Sequence, residues 1–312
     1  MQIFFFGTSA FAVPSLERLV AEGFRPAVCM TTPDRPQGRG LKRLPSPVKR
    51  AALQHGLPVE EPTDLRAAAA ASRGSLPDVG VVISYGRLIP AEVLRWPRQG
   101  MLGLHPSLLP KYRGANPIAW PILHGERATG VTIFRLNERM DAGEIAAQAE
   151  VVIEPRETAD TLSARLAQRG AALLLEALRY LEQGTLTFRP QDERLATSTG
   201  KFTKAHGRIT WSVSAVAIDR LVRAATPWPG AYTTWHGEWL KIWVAEPQPV
   251  RDAQASGRPG EVVHASAEGV IVATGEGRVL IRDVQPAGKR RMTVADFLAG
   301  HTMRAGDMFG DA

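Results

Sequence analysis

The sequence predicts an α/β domain built on a doubly wound, mostly parallel sheet, followed by a small OB-like β-barrel. In the first half, short apolar runs alternate with amphipathic segments, the pattern of strands that are each followed by a crossover helix. From Trp228 onward, short alternating runs are separated by glycine turns, which is typical of a small barrel.

Four strand and helix pairs make up most of the first half. The strands IFFFG, FRPAVCMTT, DVGVVISYG and MLGLH precede the helices VPSLERLVAEG, PVKRAALQHG, PAEVLRWP and NPIAWPILHG, respectively. VTIFRLN and AAQAEVVIEP follow as strands, and residues 158–184 place Leu and Ala at helical spacing before a terminal glycine. We therefore expect a first domain over residues 1–188.

The next segment, residues 189–207, shows no sustained periodicity and predicts a linker or surface arm. One more helix, SVSAVAIDRLVRAATP, precedes the barrel strands YTTWHG, WLKIWVAE, GEVVHAS, GVIVATG and RVLIRDVQ. The second domain is expected over residues 208–312.

Composition excludes several classes of protein. A hydrophobic content of 44% with 22% charged residues is ordinary for a globular chain with a sizeable core. The start has no basic signal-peptide region, and no apolar run reaches the roughly 18 residues of a membrane span. The single cysteine, Cys29, excludes an internal disulfide and indicates a reducing compartment. We expect a cytoplasmic monomer with no membrane partner.

The formal net charge of +7 is concentrated in a few stretches. The largest is the basic loop, residues 34–50, in which six Lys and Arg face a single acid, Asp34. Smaller clusters lie near residues 201–208 and 289–291. Such loops suit the phosphates of a polyanion, and the alternative for each is an ordinary solvated surface.

A histidine and an aspartate are the candidate catalytic residues. His105 ends the apolar run MLGLH, where ligands of open α/β sheets bind beyond the carboxyl ends of the strands. Asp141 lies in the loop between two predicted strands, two residues before a glycine. If both loops meet at one sheet edge, the carboxylate orients the imidazole and stabilises its protonated form. The alternatives are a buried structural histidine and an ordinary turn aspartate.

Other chemistries have little sequence support. FFGTSAF follows a strand with one glycine where a dinucleotide fingerprint has three, and it lacks a P-loop lysine. The seven histidines show no metal-ligand spacing, so no metal is expected. Neither a GxSxG serine nor a cysteine nucleophile in a suitable context is present, which favours proton transfer around a bound acyl donor.

GLHPSLLPKYRGANPI, followed by GVTIFRLNERMDAGEIAAQ, resembles the signature of the folate-dependent formyltransferases, whose fold is Rossmann-like. Four further stretches extend the resemblance over nearly the whole chain and favour the tRNA-directed members of the family. They are FFGTSAFAVPSLERL, TTPDRPQGRGLKRLPSPVK, SYGRLIP and VQPAGKRRMTVADFL. The resemblance implies transfer of a formyl group from 10-formyltetrahydrofolate to the methionyl amino group of initiator Met-tRNA.

The resemblance also implies roles for individual residues. His105 is the expected donor to the oxyanion, and Asp141 is expected to set its protonation and to help remove the proton of the attacking amine. The implied folate contacts are Ser107, Leu108, Leu109, Pro110, Arg87, Leu88 and Ile89. The implied tRNA contacts are Arg39, Lys42, Arg43, Lys201, Lys204, Lys289, Arg290 and Arg291.

The sequence departs from the family pattern at one catalytic position. Gly103 stands where the family has an asparagine, and Asn116 stands where the family has an alanine before proline. One hypothesis is that the Asn116 amide supplies the oxyanion donor that the family's asparagine would provide, and that Gly103 leaves room for this amide or for a water. The alternative is an ordinary helix-capping asparagine.

Two other functions are compatible with these motifs. A formyltransferase acting on an amino sugar nucleotide would share the central motif, although the long basic loop and the KRR cluster count against it. A tRNA- or folate-binding protein that lost catalysis with its asparagine would share the whole pattern. Salt-dependent binding of tRNA and single-turnover formylation discriminate among the three.

Overall fold

The computed structural model describes residues 1–37, 42–71, 76–248 and 257–310. The chain forms two compact units. The first comprises Met1–Pro117, Ala128–Val152 and Ser163–Thr199, and the second comprises Ile118–Arg127, Ile153–Leu162 and Gly200–Ala312.

A seven-stranded sheet forms the centre of the first unit. Its strands are β1 (Ile3–Gly7), β2 (Val28–Met30), β5 (Val59–Glu60), β6 (Val79–Ile83), β7 (Met101–His105), β9 (Ala128–Arg135) and β10 (Ile145–Val152). The order is β10-β9-β7-β6-β1-β2-β5; the five strands from β7 to β5 are parallel, while β9 runs antiparallel to β7 and β10 to β9. This confirms the predicted doubly wound, mostly parallel sheet.

Two pairs of short strands complete the strands of this unit. The hairpin β3 (Arg35–Gln37) and β4 (Lys42–Leu44) lies in the basic loop. The strands β8 (Arg113–Gly114) and β11 (Ser198–Thr199) pair in parallel.

Helices connect the strands of the first unit. They are α1 (Val13–Ala21), α2 (Pro47–Gln54), α3 (Leu65–Ala71), α4 (Ala91–Leu94) and most of α6 (Ala159–Glu182). Proline at the start of α1 and α2 suits the first turn, where its missing N–H has no intrahelical acceptor. Ser46 caps α2 by accepting the Lys49 N–H. All five residues of β1 are buried, as expected for a central strand covered on both faces.

The helix predicted from NPIAWPILHG has a different place from the one expected. It forms α5 (Ala119–His124), but it belongs to the second unit, where it packs on α7 (Ala215–Ala224). It is therefore not a crossover helix of the parallel sheet. The next strand, β9, runs antiparallel to β7 and does not require a crossover.

The second unit is a six-stranded antiparallel β-domain. Its strands are β12 (Ala231–Trp235), β13 (Glu238–Gln248), β14 (Val262–Ser266), β15 (Gly269–Ala273), β16 (Arg278–Pro286) and β17 (Met292–Thr293), and α8 (Val294–Gly300) follows them. The order is β12-β13-β16-β15-β14, with β17 on β16. The C-terminal segment bridges both outer strands: Phe309 pairs with Trp235, and Met308 pairs with Glu261, immediately before β14. The pairing therefore runs round a closed circuit, as a barrel requires.

The segment 189–207 is more structured than its sequence predicts. It contains a 3₁₀ turn at Glu193–Leu195, strand β11 and a second 3₁₀ turn at Lys204–Gly207. The chain passes from the first compact unit to the second between Thr199 and Gly200. Residues 189–199 are therefore part of the first unit.

Over the described residues, no helix is long and apolar enough to cross a membrane.

Candidate active site

The carboxyl end of β7 positions the candidate catalytic histidine. His105 is the last residue of β7 and is only 6% exposed. It therefore belongs to the buried strand, whereas the sequence had suggested a position in a loop. Its Nε2 lies 2.9 Å from the Tyr112 carbonyl oxygen. Because a carbonyl only accepts hydrogen bonds, the network assigns the proton to Nε2. The nitrogen left for acid–base chemistry is Nδ1.

Asp141 meets that nitrogen. Its Oδ2 lies 3.7 Å from His105 Nδ1, and the same oxygen accepts a 2.8 Å hydrogen bond from the Gly114 N–H. Asp141 has a left-handed backbone with φ of 50°, which a non-glycine residue adopts only at a cost. The structure thus brings together the two residues that the sequence placed in separate loops.

Three polar residues, Arg113, Gln191 and Glu193, form a hydrogen-bond network beside this pair. Arg113 is buried, and its Nε and Nη2 donate to Gln191 Oε1 at 3.1 and 2.7 Å. Its Nη1 and Nη2 donate to the Glu193 carboxylate at 3.0 and 3.2 Å. These hydrogen bonds with Arg113 hold the pKa of Glu193 below its usual value. The Arg113 guanidinium is therefore committed to structure, and it is not a free anion-binding group.

Gln191 completes this network from the other side. Its Nε2 donates to the carbonyl oxygens of Asp141 and Gly143 at 2.8 and 2.7 Å. These contacts join residues about fifty positions apart in the sequence, so no local pattern reveals them. The one available signal was the length of the unpatterned segment 189–207, since long connections without structure are uncommon in compact domains unless they are functional.

The four predicted folate residues of the SLLP motif form a tightly held turn after β7. Ser107 Oγ donates to the Lys111 carbonyl at 2.6 Å, and Thr132 Oγ1 donates to the Ser107 carbonyl at 2.7 Å. Leu109 N donates to Thr132 Oγ1, and its carbonyl accepts from Gln148 Nε2. Leu108 is partly buried, and the Leu109–Pro110 peptide bond is cis. The hydrogen bonds with Thr132 and Gln148 hold the turn against β9 and β10, and its role in folate binding stays a prediction.

The other predicted folate residues follow β6, the parallel neighbour of β7 in the sheet. Arg87 donates to the carbonyl oxygens of Pro62 and Thr63. Ile89 is buried in the core, whereas Leu88 is 81% exposed. The carboxyl ends of β6 and β7 lie at the same edge of the sheet, so this loop starts beside the His105 strand.

Apolar side chains lie beside Gly103. Gly103 pairs with Phe134 of β9, and a Cβ atom at position 103 would lie 2.6 Å from both Phe134 Cε1 and Leu136 Cδ1. A side chain at position 103 would therefore meet these two apolar side chains, whereas the idea that Gly103 leaves room for an amide or a water stays a prediction. The His105 and Phe134 rings meet edge to face at 6.5 Å.

Asn116 is exposed and has a left-handed backbone with φ of 58°. The residue at the N-cap of α5 is Ile118, two positions later. Both explanations of Asn116, a capping residue at the start of this helix and an oxyanion donor, stay predictions.

The predicted tRNA contacts differ in how they are placed. Arg39 lies outside the described residues, and Lys42 begins β4. Arg291 is paired with Asp283, to which its Nη2 donates at 2.6 Å. The remaining contacts, Arg43, Lys201, Lys204, Lys289 and Arg290, are exposed.

In the described part of the chain, no group of three His, Cys, Asp or Glu residues is arranged to hold a metal ion. Cys29 is buried in β2, and this burial raises the pKa of its thiol to about 12.

Comparison with known proteins identifies the family. The formyl transferase profile matches residues 1–178, and the formyl transferase C-terminal domain profile matches residues 201–302. The methionyl-tRNA formyltransferase of Chloroflexus aggregans is 45% identical, covering 96% of this chain and 97% of that protein. The methionyl-tRNA formyltransferase of Methylococcus capsulatus is 43% identical, covering 99% of this chain and 100% of that protein.

Solved structures share the fold at lower identity. HypX from Aquifex aeolicus in complex with tetrahydrofolic acid has a TM-score of 0.66 and 23% identity, covering 96% of this chain and 47% of that one. The N-formyltransferase from Helicobacter canadensis, in complex with folinic acid and dTDP-3-aminofucose, has a TM-score of 0.67 and 18% identity, covering 92% of this chain and 99% of that one. The sequence matches go further than the fold: the chain belongs to the formyl transferase family and, within it, to the methionyl-tRNA formyltransferases.

Proposed function

We propose that this enzyme transfers the formyl group of 10-formyltetrahydrofolate to the amino group of methionine on initiator tRNA, in the cytoplasm and as a monomer. The observation that carries the proposal is the meeting of His105 and Asp141 at the carboxyl edge of the sheet. The chain is over 40% identical, along nearly its full length, to two methionyl-tRNA formyltransferases, which supports Met-tRNA as the acceptor of the formyl group.

The reaction needs one proton to leave the attacking amine and one to reach the departing folate nitrogen. The amine attacks the formyl carbon, a tetrahedral oxyanion forms, and the bond to folate N10 then breaks. Because the Tyr112 carbonyl occupies His105 Nε2, only His105 Nδ1 is available to donate to the oxyanion or to exchange a proton. The Asp141 carboxylate 3.7 Å away stabilises the imidazolium that has both nitrogens protonated.

Basic side chains in both units support a tRNA substrate. Arg43 in the hairpin, Lys201 and Lys204 before the β-domain, and Lys289 and Arg290 after β16 are exposed. Exposed cations attract phosphates without specifying sequence, so they contribute affinity that falls as salt rises.

A groove of the second unit adds an aromatic surface. It has a volume of about 800 Å³ and is lined by Arg208, Trp211, Tyr232 and Trp239, among others. The rings of Tyr232 and Trp239 stack at 4.3 Å, and Trp239 is 53% exposed. An arginine beside this partly exposed pair of rings suits an unstacked nucleotide.

The decisive experiment is a single-turnover assay with 10-formyltetrahydrofolate and initiator Met-tRNA. The parent should form formylmethionyl-tRNA, and both His105→Ala and Asp141→Asn should lower the rate about 10²- to 10⁴-fold. Asp141→Asn is the more informative variant, because its amide oxygen still accepts the Gly114 N–H while the charge is lost.

Binding measurements separate this function from its alternatives. A parent that binds tRNA but forms no product would be a binding protein that has lost catalysis. Formylation of an amino sugar nucleotide in preference to Met-tRNA would identify the other enzyme class. Either result contradicts the proposal.

A further inference from the structure

The segment 191–199 holds the backbone on both sides of the catalytic pair. Thr197 Oγ1 and its carbonyl accept from the N–H groups of Tyr112 and Arg113, each at 2.8 Å. Gln191 Nε2 donates to the carbonyls of Asp141 and Gly143. This short stretch therefore holds two loops in place. One contains Tyr112, whose carbonyl contacts His105, and the other carries Asp141.

Gln191 is the residue that joins these two loops. Its side-chain oxygen accepts from the Arg113 guanidinium, and its side-chain nitrogen donates to the Asp141 loop. It is nine-tenths buried, and both ends of its amide are satisfied. Loss of the side-chain oxygen would leave the Arg113 guanidinium without this acceptor, and loss of the side-chain nitrogen would leave the Asp141 and Gly143 carbonyls without this donor. Leaving a buried polar group unpaired costs more free energy than the hydrogen bond itself contributes.

The Asp141 loop needs such support. Asp141 itself has a left-handed backbone, and the backbone of Gly143 approaches the Arg135 carbonyl oxygen so closely that a side chain at position 143 would collide with it. A strained conformation persists only where its surroundings hold it. Gln191 donates hydrogen bonds to the carbonyl oxygens of Asp141 and Gly143, the residues on either side of Ala142.

We propose that Gln191 is a positioning residue for catalysis, which keeps the Asp141 carboxylate against His105 Nδ1 through the backbone of residues 141–143. The proposal rests on the proposed function, because it assigns Gln191 to the same reaction. Gln191 is set back from the reacting atoms, so its loss changes turnover and leaves the binding of folate and tRNA in place.

Two substitutions separate positioning from simple structural support. Gln191→Glu is isosteric and strengthens the contact with Arg113, but its carboxylate faces two carbonyl oxygens and cannot donate to them. Gln191→Leu removes both contacts. The matched control is Gln183→Leu, an exposed glutamine just beyond the end of α6.

We expect both Gln191 variants to lower kcat for Met-tRNA formylation about 10- to 100-fold, with KM for each substrate within about twofold of the parent, since misplacement of a catalytic group by about 1 Å costs up to this much. Gln183→Leu should match the parent. In an Asp141→Asn background, Gln191→Glu should cost less than threefold further, because the position of residue 141 matters little once its carboxylate has been removed.

Hydrogen exchange gives a readout that does not depend on turnover. The Gly114 N–H donates to Asp141 Oδ2, so its protection should fall about tenfold or more in Gln191→Glu. The Ala115 N–H donates to the Thr199 carbonyl and should keep its protection, which makes it an internal control for folding.

The outcomes are distinguishable. A parent that fails to formylate Met-tRNA contradicts the proposed function, and the exchange measurement still decides whether Gln191 holds Asp141. Parent-like kcat in Gln191→Glu, an unchanged Gly114 exchange rate, or losses that simply add to those of Asp141→Asn would each overturn the positioning role.

Discussion

Adding a single methyl group at Gly103 tests how the site is packed. In Gly103→Ala the new Cβ would lie 2.6 Å from Phe134 Cε1, 2.6 Å from Leu136 Cδ1 and 2.9 Å from Phe134 Cζ. Overpacking of this kind costs about 1–3 kcal/mol. The gain from a less flexible unfolded chain is only about 0.4–1 kcal/mol, so the overpacking dominates.

The mid-range values, about 2 and about 0.7 kcal/mol, leave an expected net loss of about 1.3 kcal/mol, which corresponds to a fall of about 3–5 °C in the melting temperature of the first unit. Differential scanning calorimetry measures it, with Gly200→Ala as the control, because a Cβ at position 200 meets nothing within 4 Å. In a Phe134→Leu background, which removes Cε1 and Cζ, the penalty should shrink by about 0.5 kcal/mol or more. A Gly103→Ala protein as stable as the parent would refute the packing described here.

Three further predictions concern the Asn116 side chain, the positive charges of the basic loop and the Cys29 thiol. Asn116→Ala should lower kcat about 10²-fold with little change in folate affinity if its amide donates to the oxyanion, and full activity would exclude that role. Replacing Arg39, Lys42 and Arg43 by Gln together should raise KM for Met-tRNA and flatten its salt dependence, whereas an unchanged slope in a salt titration would remove the hairpin from the tRNA interface. Cys29, with its pKa raised to about 12 by burial, should resist iodoacetamide at pH 8 until the protein unfolds, and rapid labelling of native protein would contradict this.

The sequence was most informative where structure depends on local pattern. Apolar runs alone predicted β1, β6 and β7, and the end of β7 located His105, because parallel strands deliver their ligand-binding residues at their carboxyl ends. The helical pattern of α5 was also recognisable. Its partner was not, because the choice between the sheet and α7 depends on contacts about a hundred residues away along the chain.

The supporting residues of the site could not be predicted for the same reason. Gln191 lies in a polar stretch without periodicity, and it acts through residues 48 to 78 positions earlier. The filling of the space at Gly103 depends on the register of β7 against β9, which brings Phe134 opposite the glycine. A one-residue slip of β9 against β7 would point the side chains of β9 to the other face, and nothing in either strand alone fixes that register.

Residues 308–310 pair with two different parts of the β-domain. Phe309 N donates to the Gly260 carbonyl and Gly310 N donates to the Thr234 carbonyl, so the same few residues cover the open sides of β14 and β12. Exposed strand edges recruit other chains into mixed sheets and aggregates. Loss of residues 308–310 would therefore expose the edges of β12 and β14 at once, and we expect such a change to promote aggregation.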